Sequence, residues 1–147
     1  MDQAEFLAKV HAAIPEAVPF SPGKEGARGK GAYILLITLA APVPFERKAL
    51  GAHSLTGRLL YVGSARGGGG IAARVGRHMQ RGKGVRWHVD ELTNAAQFAS
   101  ALVLPGGDEC SIVARLLACG AFEAAVRGFG SSDCSLCPAH LLRPVAD

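Results

Sequence analysis

The residues of this chain best suited to chemistry on a phosphate are its two tyrosines and the arginine-rich segment that follows them. Tyr33 and Tyr61 are the only tyrosines, and both lie beside glycines. A glycine run at 67–70 comes next, and Arg74 and His78 follow it one helical turn apart. Arginine carries planar, permanently charged donors that match phosphate oxygens in pairs. The spacing therefore predicts a glycine hinge and then a helix that presents cations to an anionic ligand.

The basic residues of the chain are concentrated in one block. No acid lies between Glu46 and Asp90, whereas nine lysines and arginines do; the remainder holds seven basic and twelve acidic residues, so the block carries +9 and the remainder −5. Such segregation is typical of a polyanion-binding surface, and the alternative is a solvated basic face that aids solubility. The predicted nucleic-acid-binding residues are Arg66, Arg77, Arg81, Lys83 and Arg86.

Hydrophobic periodicity and turn residues predict the elements that must position these side chains. Helices are predicted at 2–14 with Asp2 as N-cap, at 71–80, at 108–118 with Asp108 as cap, and at 121–127. Strands are predicted at 32–39, 58–63, 84–92 and 98–104. Residues 41–56 are predicted to be a long connection, and 128–140 a loop.

A dinucleotide is an alternative ligand for the glycine-rich segment. The stretch from Gly63 to Gly68 is a degenerate G-x-G-x-x-G after a strand, and Asp90 follows at the distance of a ribose-binding acid. Against this, Val85–Asp90 alternates between apolar and polar residues, unlike a strand of a buried parallel sheet. A ribose site also has no use for several cations on one helical face.

The chain resembles the GIY-YIG nuclease superfamily, in particular a GIY-YIG-related domain that occurs alone or fused to endonuclease III-type DNA glycosylases. The residues that carry the resemblance are Gly31-Ala-Tyr33, Tyr61-Val-Gly-Ser-Ala65, Arg74-Val-Gly-Arg-His78, Trp87-His-Val-Asp90, Glu109-Cys110, Phe129-Gly-Ser-Ser-Asp-Cys134 and His140-Leu141. The resemblance implies an α/β fold with a small, mostly antiparallel central sheet flanked by helices. Residues 31–147 would form this domain, and 1–30 an N-terminal helix and loop within a single globular unit.

The resemblance also implies a function, that of a metal-dependent endonuclease hydrolysing phosphodiester bonds in DNA. Tyr33 would be the base for the attacking water, Tyr61 would orient water or phosphate, Arg74 would clamp the phosphate, and Glu109 would hold Mg²⁺ or Mn²⁺. The alternative bases, His78 and His88, come from the residues themselves. RNA is not excluded as a substrate, and a DNA-repair protein is a candidate partner. The alternative function is a non-catalytic nucleic-acid-binding module with a basic cleft.

The four cysteines are relevant to the cellular compartment of the protein and to a candidate zinc site. Because the sequence offers no signal peptide and no apolar run long enough to span a membrane, we expect a cytoplasmic protein with no membrane partner. We therefore expect its four cysteines to be thiols or metal ligands rather than disulfides. Cys134-x-x-Cys137-x-x-His140 has zinc-like spacing, and Cys110 or Cys119 could complete four ligands. The alternative is buried thiols beside a polar loop.

Overall fold

The computed structural model describes residues 1–20, 29–67, 69–85, 87–130 and 137–145. The helices in these ranges are α1 (Gln3–Ala13), α2 (Gly70–Met79), α3 (Val89–Ala95) and α4 (Glu109–Ala118). The strands are β1 (Val18–Pro19), β2 (Gly31–Arg47), β3 (Gly51–Ala65), β4 (Phe98–Pro105), β5 (Phe122–Ala124) and β6 (Leu141–Pro144). Among described residues, all strand pairs are antiparallel, in the order β1-β4-β2-β3-β6-β5. The predicted fold class, an α/β fold with a small antiparallel sheet flanked by helices, is confirmed.

Strand β2 is the centre of the sheet, and both of its faces are covered. On one face Tyr33, Leu35 and Ile37 pack in a cluster that includes residues of α2 and α3. On the other face Ile34 and Leu36 pack in a cluster that includes residues of α1 and α4. Because each face has its own layer of helices, the first part of this strand is continuously apolar rather than alternating.

Two helix starts agree with the caps predicted from sequence. Asp2 accepts a hydrogen bond at 2.8 Å from the Glu5 amide, and Asp108 accepts one at 2.9 Å from the Ser111 amide. Each aspartate satisfies a first-turn amide that has no partner within its helix. The second cap is important for the site, because it fixes where α4 begins and therefore where Glu109 lies.

The predicted long connection over 41–56 is wrong. Strands β2 and β3 continue through most of it as a hairpin arm, in register from Val43 opposite Leu55 to Arg47 opposite Gly51, after a register shift between Leu39 and Val43. Pro42 and Pro44 lie within this part of β2. Strand β4 pairs with β2 only as far as Thr38, so the prolines lie where one edge of β2 needs no ladder donor.

Two further elements differ from the sequence prediction. The predicted strand at 84–92 is wrong, because Val89–Ala95 is helix α3 and Val85, expected on a buried face, is 55% exposed. The predicted helix at 121–127 is wrong as well, since Phe122–Ala124 is strand β5 and pairs with β6. No helix among the described residues is long and apolar enough to cross a membrane.

Candidate functional site

The hairpin of β2 and β3 brings the two tyrosines to one face of the sheet. Tyr33 is opposite Gly63 and Tyr61 is opposite Leu35, so the tyrosines are diagonal neighbours across the two strands. Both belong to the apolar cluster on the side of α2 and α3. Tyr33 is only 1% exposed, whereas Tyr61 is half-buried. The two phenols therefore lie at different depths of the same surface.

Gly63 provides the space that the Tyr33 ring occupies. A Cβ placed on Gly63 would lie 2.4 Å from the hydroxyl and from Cζ of Tyr33, well inside van der Waals contact. Gly31 allows an equally close approach on the other side, since its Cβ would lie 2.5 Å from the Gly106 nitrogen and the Leu104 oxygen. These contacts explain physically why a glycine stands beside each tyrosine.

His78 connects helix α2 to this face of the sheet. Its Nε2 atom lies 2.8 Å from the Tyr33 hydroxyl in a buried hydrogen bond. Its Nδ1 atom has no hydrogen-bond partner among the described residues, and it lies 3.9 Å from Oδ1 of Asp90, which is fully buried. Tyr33, His78 and Asp90 thus form a line of three groups that can exchange or stabilise a proton.

Burial determines the protonation of these groups. Burial lowers the pKa of His78 to about 4, despite the opposing charge of Asp90. Burial also raises the pKa of Tyr61 to about 12, and it raises the pKa of Tyr33 further, against the positive charge of Arg74. At neutral pH both phenols keep their protons and the imidazole is uncharged. Tyr33 therefore needs an acceptor for its proton, and His78 is in place for that role.

Arg74 lies one helical turn before His78 on α2 and packs over an indole. Its guanidinium carbon is 4.6 Å from the centre of the Trp87 ring, and that of Arg77 is 4.4 Å from the same centre. Cation–π contact of this kind orients a guanidinium without neutralising its charge. Arg74 is half-buried and lines a cavity of about 650 Å³, so its charge is directed toward any anion bound there.

Glu109 reaches the site from the opposite side, as the first residue of α4. Its side chain is 22% exposed, and Oε2 lies 3.5 Å from Nδ1 of His140. The carboxylate also raises the pKa of both tyrosines by its negative charge. Its position next to the Asp108 cap keeps it at a helix N-terminus, where a negative charge is stabilised.

All six predicted catalytic residues line one cavity of about 650 Å³. These residues are Tyr33, Tyr61, Arg74, His78, His88 and Glu109. They come from strands β2 and β3, from helices α2 and α4, and from the N-cap residue of α3. The site therefore forms only when all five elements are folded together. His88 is exposed at its edge, with its ring against Phe45 and Phe129 at centroid distances of 5.6 and 5.7 Å. The structure thus brings together the side chains that the sequence singled out.

The predicted phosphate-binding residues separate into two groups. Arg66 and Arg81 are exposed. Arg77 instead donates to both carboxylate oxygens of Asp90 at 2.9 and 3.0 Å, and Lys83 donates to His78 O, Gln80 O and Asn94. Arg77 and Lys83 therefore hold the segment around α2 and α3 together. Arg86 lies outside the described residues.

Two residues of this region, Arg47 and Asp90, are not among the predicted catalytic or nucleic-acid-binding residues. Arg47, at the end of β2, lines the cavity and forms a 2.7 Å ion pair with Glu91. The alternating pattern predicts that Asp90 lies on a strand, whereas in the structure it is the buried partner of Arg77 and faces His78. Its occurrence in the Trp87-His-Val-Asp90 motif was the available signal. A second cavity of about 280 Å³ adjoins the glycine turn and shares Arg74 and Trp87 with the first.

The donors present fit a Mg²⁺ or Mn²⁺ ion held by a single carboxylate. Among the described residues that line the larger cavity, Glu109 is the only acid. Mg²⁺ is commonly bound through one or two carboxylates and keeps several waters, so one partly exposed carboxylate in a cavity of this size is compatible with it. A second group of donors, Cys110, Cys137 and His140, lies next to Glu109. Cys134 lies outside the described residues.

Comparison with known proteins identifies a family. Residues 32–146, more than half of the chain, match the family model described as Domain of unknown function DUF123. No curated protein and no solved structure matches the chain. The matched range contains every residue described above as lining the larger cavity. The chain belongs to the DUF123 family.

Proposed function

We propose that this chain is a metal-dependent endonuclease of the GIY-YIG type that hydrolyses phosphodiester bonds in DNA. The observation that carries the proposal is the convergence of Tyr33, Arg74 and Glu109, which are far apart in sequence, on one cavity together with Tyr61 and His78. A phenol, a buried neutral imidazole, a guanidinium and a carboxylate are together sufficient for acid–base and electrostatic catalysis of phosphoryl transfer.

The Tyr33–His78 hydrogen bond supports a proton relay. The attacking water gives a proton to the Tyr33 oxygen while the Tyr33 proton passes to Nε2 of His78, 2.8 Å away. The water oxygen forms the new bond to phosphorus, and the leaving oxygen takes a proton from solvent. Asp90 stabilises the imidazolium that results, as the acid of a hydrolase triad does. The negative charge of a bound phosphodiester, like that of Asp90, raises the proton affinity of His78.

Arg74 supplies the positive charge that the transition state requires. Its contact with Trp87 fixes the guanidinium at the cavity wall, so little reorganisation is needed when charge develops on the phosphoryl oxygens. Tyr61 is half-buried in the same wall, and because its pKa is raised to about 12 it offers a hydroxyl donor rather than a phenolate. It is therefore suited to orient the phosphate.

Glu109 is the residue that would hold Mg²⁺ or Mn²⁺. When bound, such an ion supplies charge stabilisation for the phosphoryl oxygens and for the leaving oxygen. The carboxylate itself acts as an anchor rather than as a base, because His78 already accepts the proton in this scheme. Its cap and its helix terminus fix its position independently of substrate.

The surroundings of the cavity support a nucleic-acid substrate. Exposed Arg66 follows the end of β3, and exposed Arg81 follows α2. The smaller cavity at the glycine turn extends the surface around Arg74. We propose DNA as the substrate, with RNA as the comparison in the test below, and the cytoplasm as the compartment.

A binding module without catalytic activity is the second candidate, and one observation favours it. Tyr33 is 1% exposed, which is also what a purely structural tyrosine would show. Both functions predict salt-dependent binding to nucleic acid, so binding alone does not separate them.

A cleavage assay separates the two functions. Labelled DNA and RNA are incubated with Mg²⁺ or Mn²⁺ and with the parent chain, Arg74→Ala, Glu109→Gln or the control Arg143→Ala, whose exposed side chain pairs with Glu123 away from the cavity. We expect the parent and the control to cut DNA, and both site variants to lose about 100-fold or more in rate. Binding without cutting by the parent would support the module, and equal cutting by all four proteins would indicate a contaminant.

A further inference from the structure

A cluster of soft metal donors lies beside the proposed catalytic carboxylate. Cys110 is the second residue of α4, and Cys137 and His140 lie in the segment that leads into β6. One ligand atom from each of the three lies within 4.8 Å of the other two. Two sulfurs and an imidazole at this separation are the donor set and spacing that tetrahedral zinc sites use.

His140 gives a second, independent indication of a ligand. The residue is 2% exposed, and its Nε2 atom has no hydrogen-bond partner in the part of the chain that the structure describes. A buried ring nitrogen without a hydrogen-bond partner destabilises the folded state unless a ligand binds it. Its Nδ1 atom faces Glu109 at 3.5 Å. A carboxylate on one ring nitrogen fixes the tautomer and leaves the lone pair of the other nitrogen available, as in many metal-binding histidines.

We propose that Cys110, Cys137 and His140 supply three ligands of a tetrahedral zinc site in the reduced protein. Thiolate and imidazole are the preferred ligands of Zn²⁺, whereas the Mg²⁺ proposed at Glu109 prefers oxygen, so the two sites select different ions. The proposal does not depend on the proposed nuclease activity, because it requires only these three side chains and their environment.

The oxidation state of Cys110 decides whether the site can bind metal. In the structure the Cys110 sulfur is in a disulfide, which corrects the expectation that the four cysteines are thiols or metal ligands rather than disulfides. A disulfide sulfur cannot serve as a thiolate ligand. Reduction by a dithiol transfers two electrons and two protons to the disulfide and converts the dithiol to its own disulfide. Zn²⁺ then displaces the thiol protons, so the oxidised and the zinc-bound forms are alternative states of the same sulfur.

Zinc at this position would hold the catalytic side of the fold together. It would tie the first turn of α4 to the segment before β6, which otherwise meet through contacts such as that of the Cys137 thiol with the Cys110 carbonyl at 3.9 Å. Glu109 precedes one ligand in sequence and faces the ring of another. The ion would therefore fix the carboxylate that the proposed catalytic metal needs.

Metal stoichiometry of the full chain tests the site. The chain is purified with a phosphine reductant, incubated with excess Zn²⁺, desalted and analysed by native mass spectrometry, and Cys137→Ser is compared with Cys119→Ser. Cys119 is an exposed thiol at the end of α4, outside the cluster. We expect one Zn²⁺ per reduced parent chain, the same for Cys119→Ser, and loss of the ion in Cys137→Ser and in the oxidised parent. No bound metal in the reduced parent, or equal binding by both variants, would overturn the site.

A second measurement needs no variant. Co²⁺ added to the reduced parent should give a thiolate-to-cobalt charge-transfer absorption and tetrahedral ligand-field bands, and Zn²⁺ should abolish both. Zn²⁺ should also raise the thermal unfolding midpoint of the reduced chain but not of the oxidised chain. A cobalt spectrum without thiolate bands, or an equal shift in both redox states, would contradict the site. Neither readout involves cleavage, so a failed nuclease assay leaves this test intact.

Discussion

The Tyr33 hydroxyl and Nε2 of His78 lie 2.8 Å apart, and this buried bond joins strand β2 to helix α2 at the wall of the larger cavity. The bond pairs a phenol of raised pKa with an imidazole whose pKa burial lowers to about 4. At neutral pH the hydroxyl must therefore be the donor and the ring the acceptor. That direction of donation is the one a proton relay from water requires.

Removing the Tyr33 hydroxyl should stop the relay and leave the ring in place. For Tyr33→Phe we expect the cleavage rate to fall by about 10² to 10⁴-fold, because general acid–base catalysis contributes that much. The free energy of unfolding should fall by only about 1–3 kcal/mol, the cost of leaving Nε2 unpaired. Single-turnover rates and urea unfolding measure the two effects. Tyr61→Phe is the control and should lose less rate, since its hydroxyl passes no proton; equal rates for Tyr33→Phe and the parent would contradict the relay.

Filling the space beside Tyr33 should displace its ring. In Gly63→Ala the new methyl group would lie 2.4 Å from the phenol, so the ring or strand β3 must shift. Overpacking of this kind costs about 1–3 kcal/mol of unfolding free energy, and cleavage should fall with it. Gly76→Ala in α2 is the matched control, since nothing lies within 4 Å of the position. It should stabilise the chain by about 0.5–1 kcal/mol. Equal stability of the two variants would show that the Tyr33 contact is not tight.

The buried imidazole of His78 should make stability depend on pH. The unfolded chain binds a proton near the ordinary pKa of 6.5, whereas folded His78 binds it only near 4. Between these values the unfolded state holds more protons, so stability falls as the pH is lowered through this window. The His78 contribution is fully present above pH 6.5 and its loss amounts to at most about 3 kcal/mol. Urea unfolding against pH should show a smaller decrease for His78→Gln than for the parent, and parallel curves would contradict this.

Arg77 should be needed for folding more than for binding. It is the bidentate partner of Asp90, a carboxylate with no exposed surface. Arg77→Gln leaves that charge without its guanidinium and should lower the unfolding free energy by about 3 kcal/mol. Arg81→Gln, at an exposed position, should change it by less than about 0.5 kcal/mol. Chemical unfolding of the two variants measures this; similar losses would show that Arg77 has no special structural role.

The parts of the fold that sequence predicted are those with strong local signals. The continuous apolar run at 32–39 has no other stable place than the middle of a covered sheet, and Asp108 caps its helix through a contact three residues away. The site could be predicted in outline because Tyr33 and Tyr61 each lie two residues from a glycine. One of these glycines, Gly63, leaves the space that the Tyr33 ring occupies. Which side chains share a cavity was accessible only through the family resemblance.

The parts that sequence could not predict are determined by distant contacts. The segment at 121–127 has good helix formers, but Phe122–Ala124 becomes a strand because β6 offers a pairing edge. The alternation around Trp87 suggested a strand, but α3 begins two residues later and buries Asp90 against Arg77, thirteen residues before it in the chain. Tertiary interactions outweigh local propensity in both places.

The most direct test of the account is single-turnover cleavage of bound, labelled DNA by the parent and by Glu109→Gln at equal occupancy. The proposal predicts metal-dependent cutting by the parent, abolished by a chelator, and a loss of about 100-fold or more in Glu109→Gln at similar affinity. Equal rates for the two proteins, or a parent that binds DNA and never cuts it, would contradict the nuclease function.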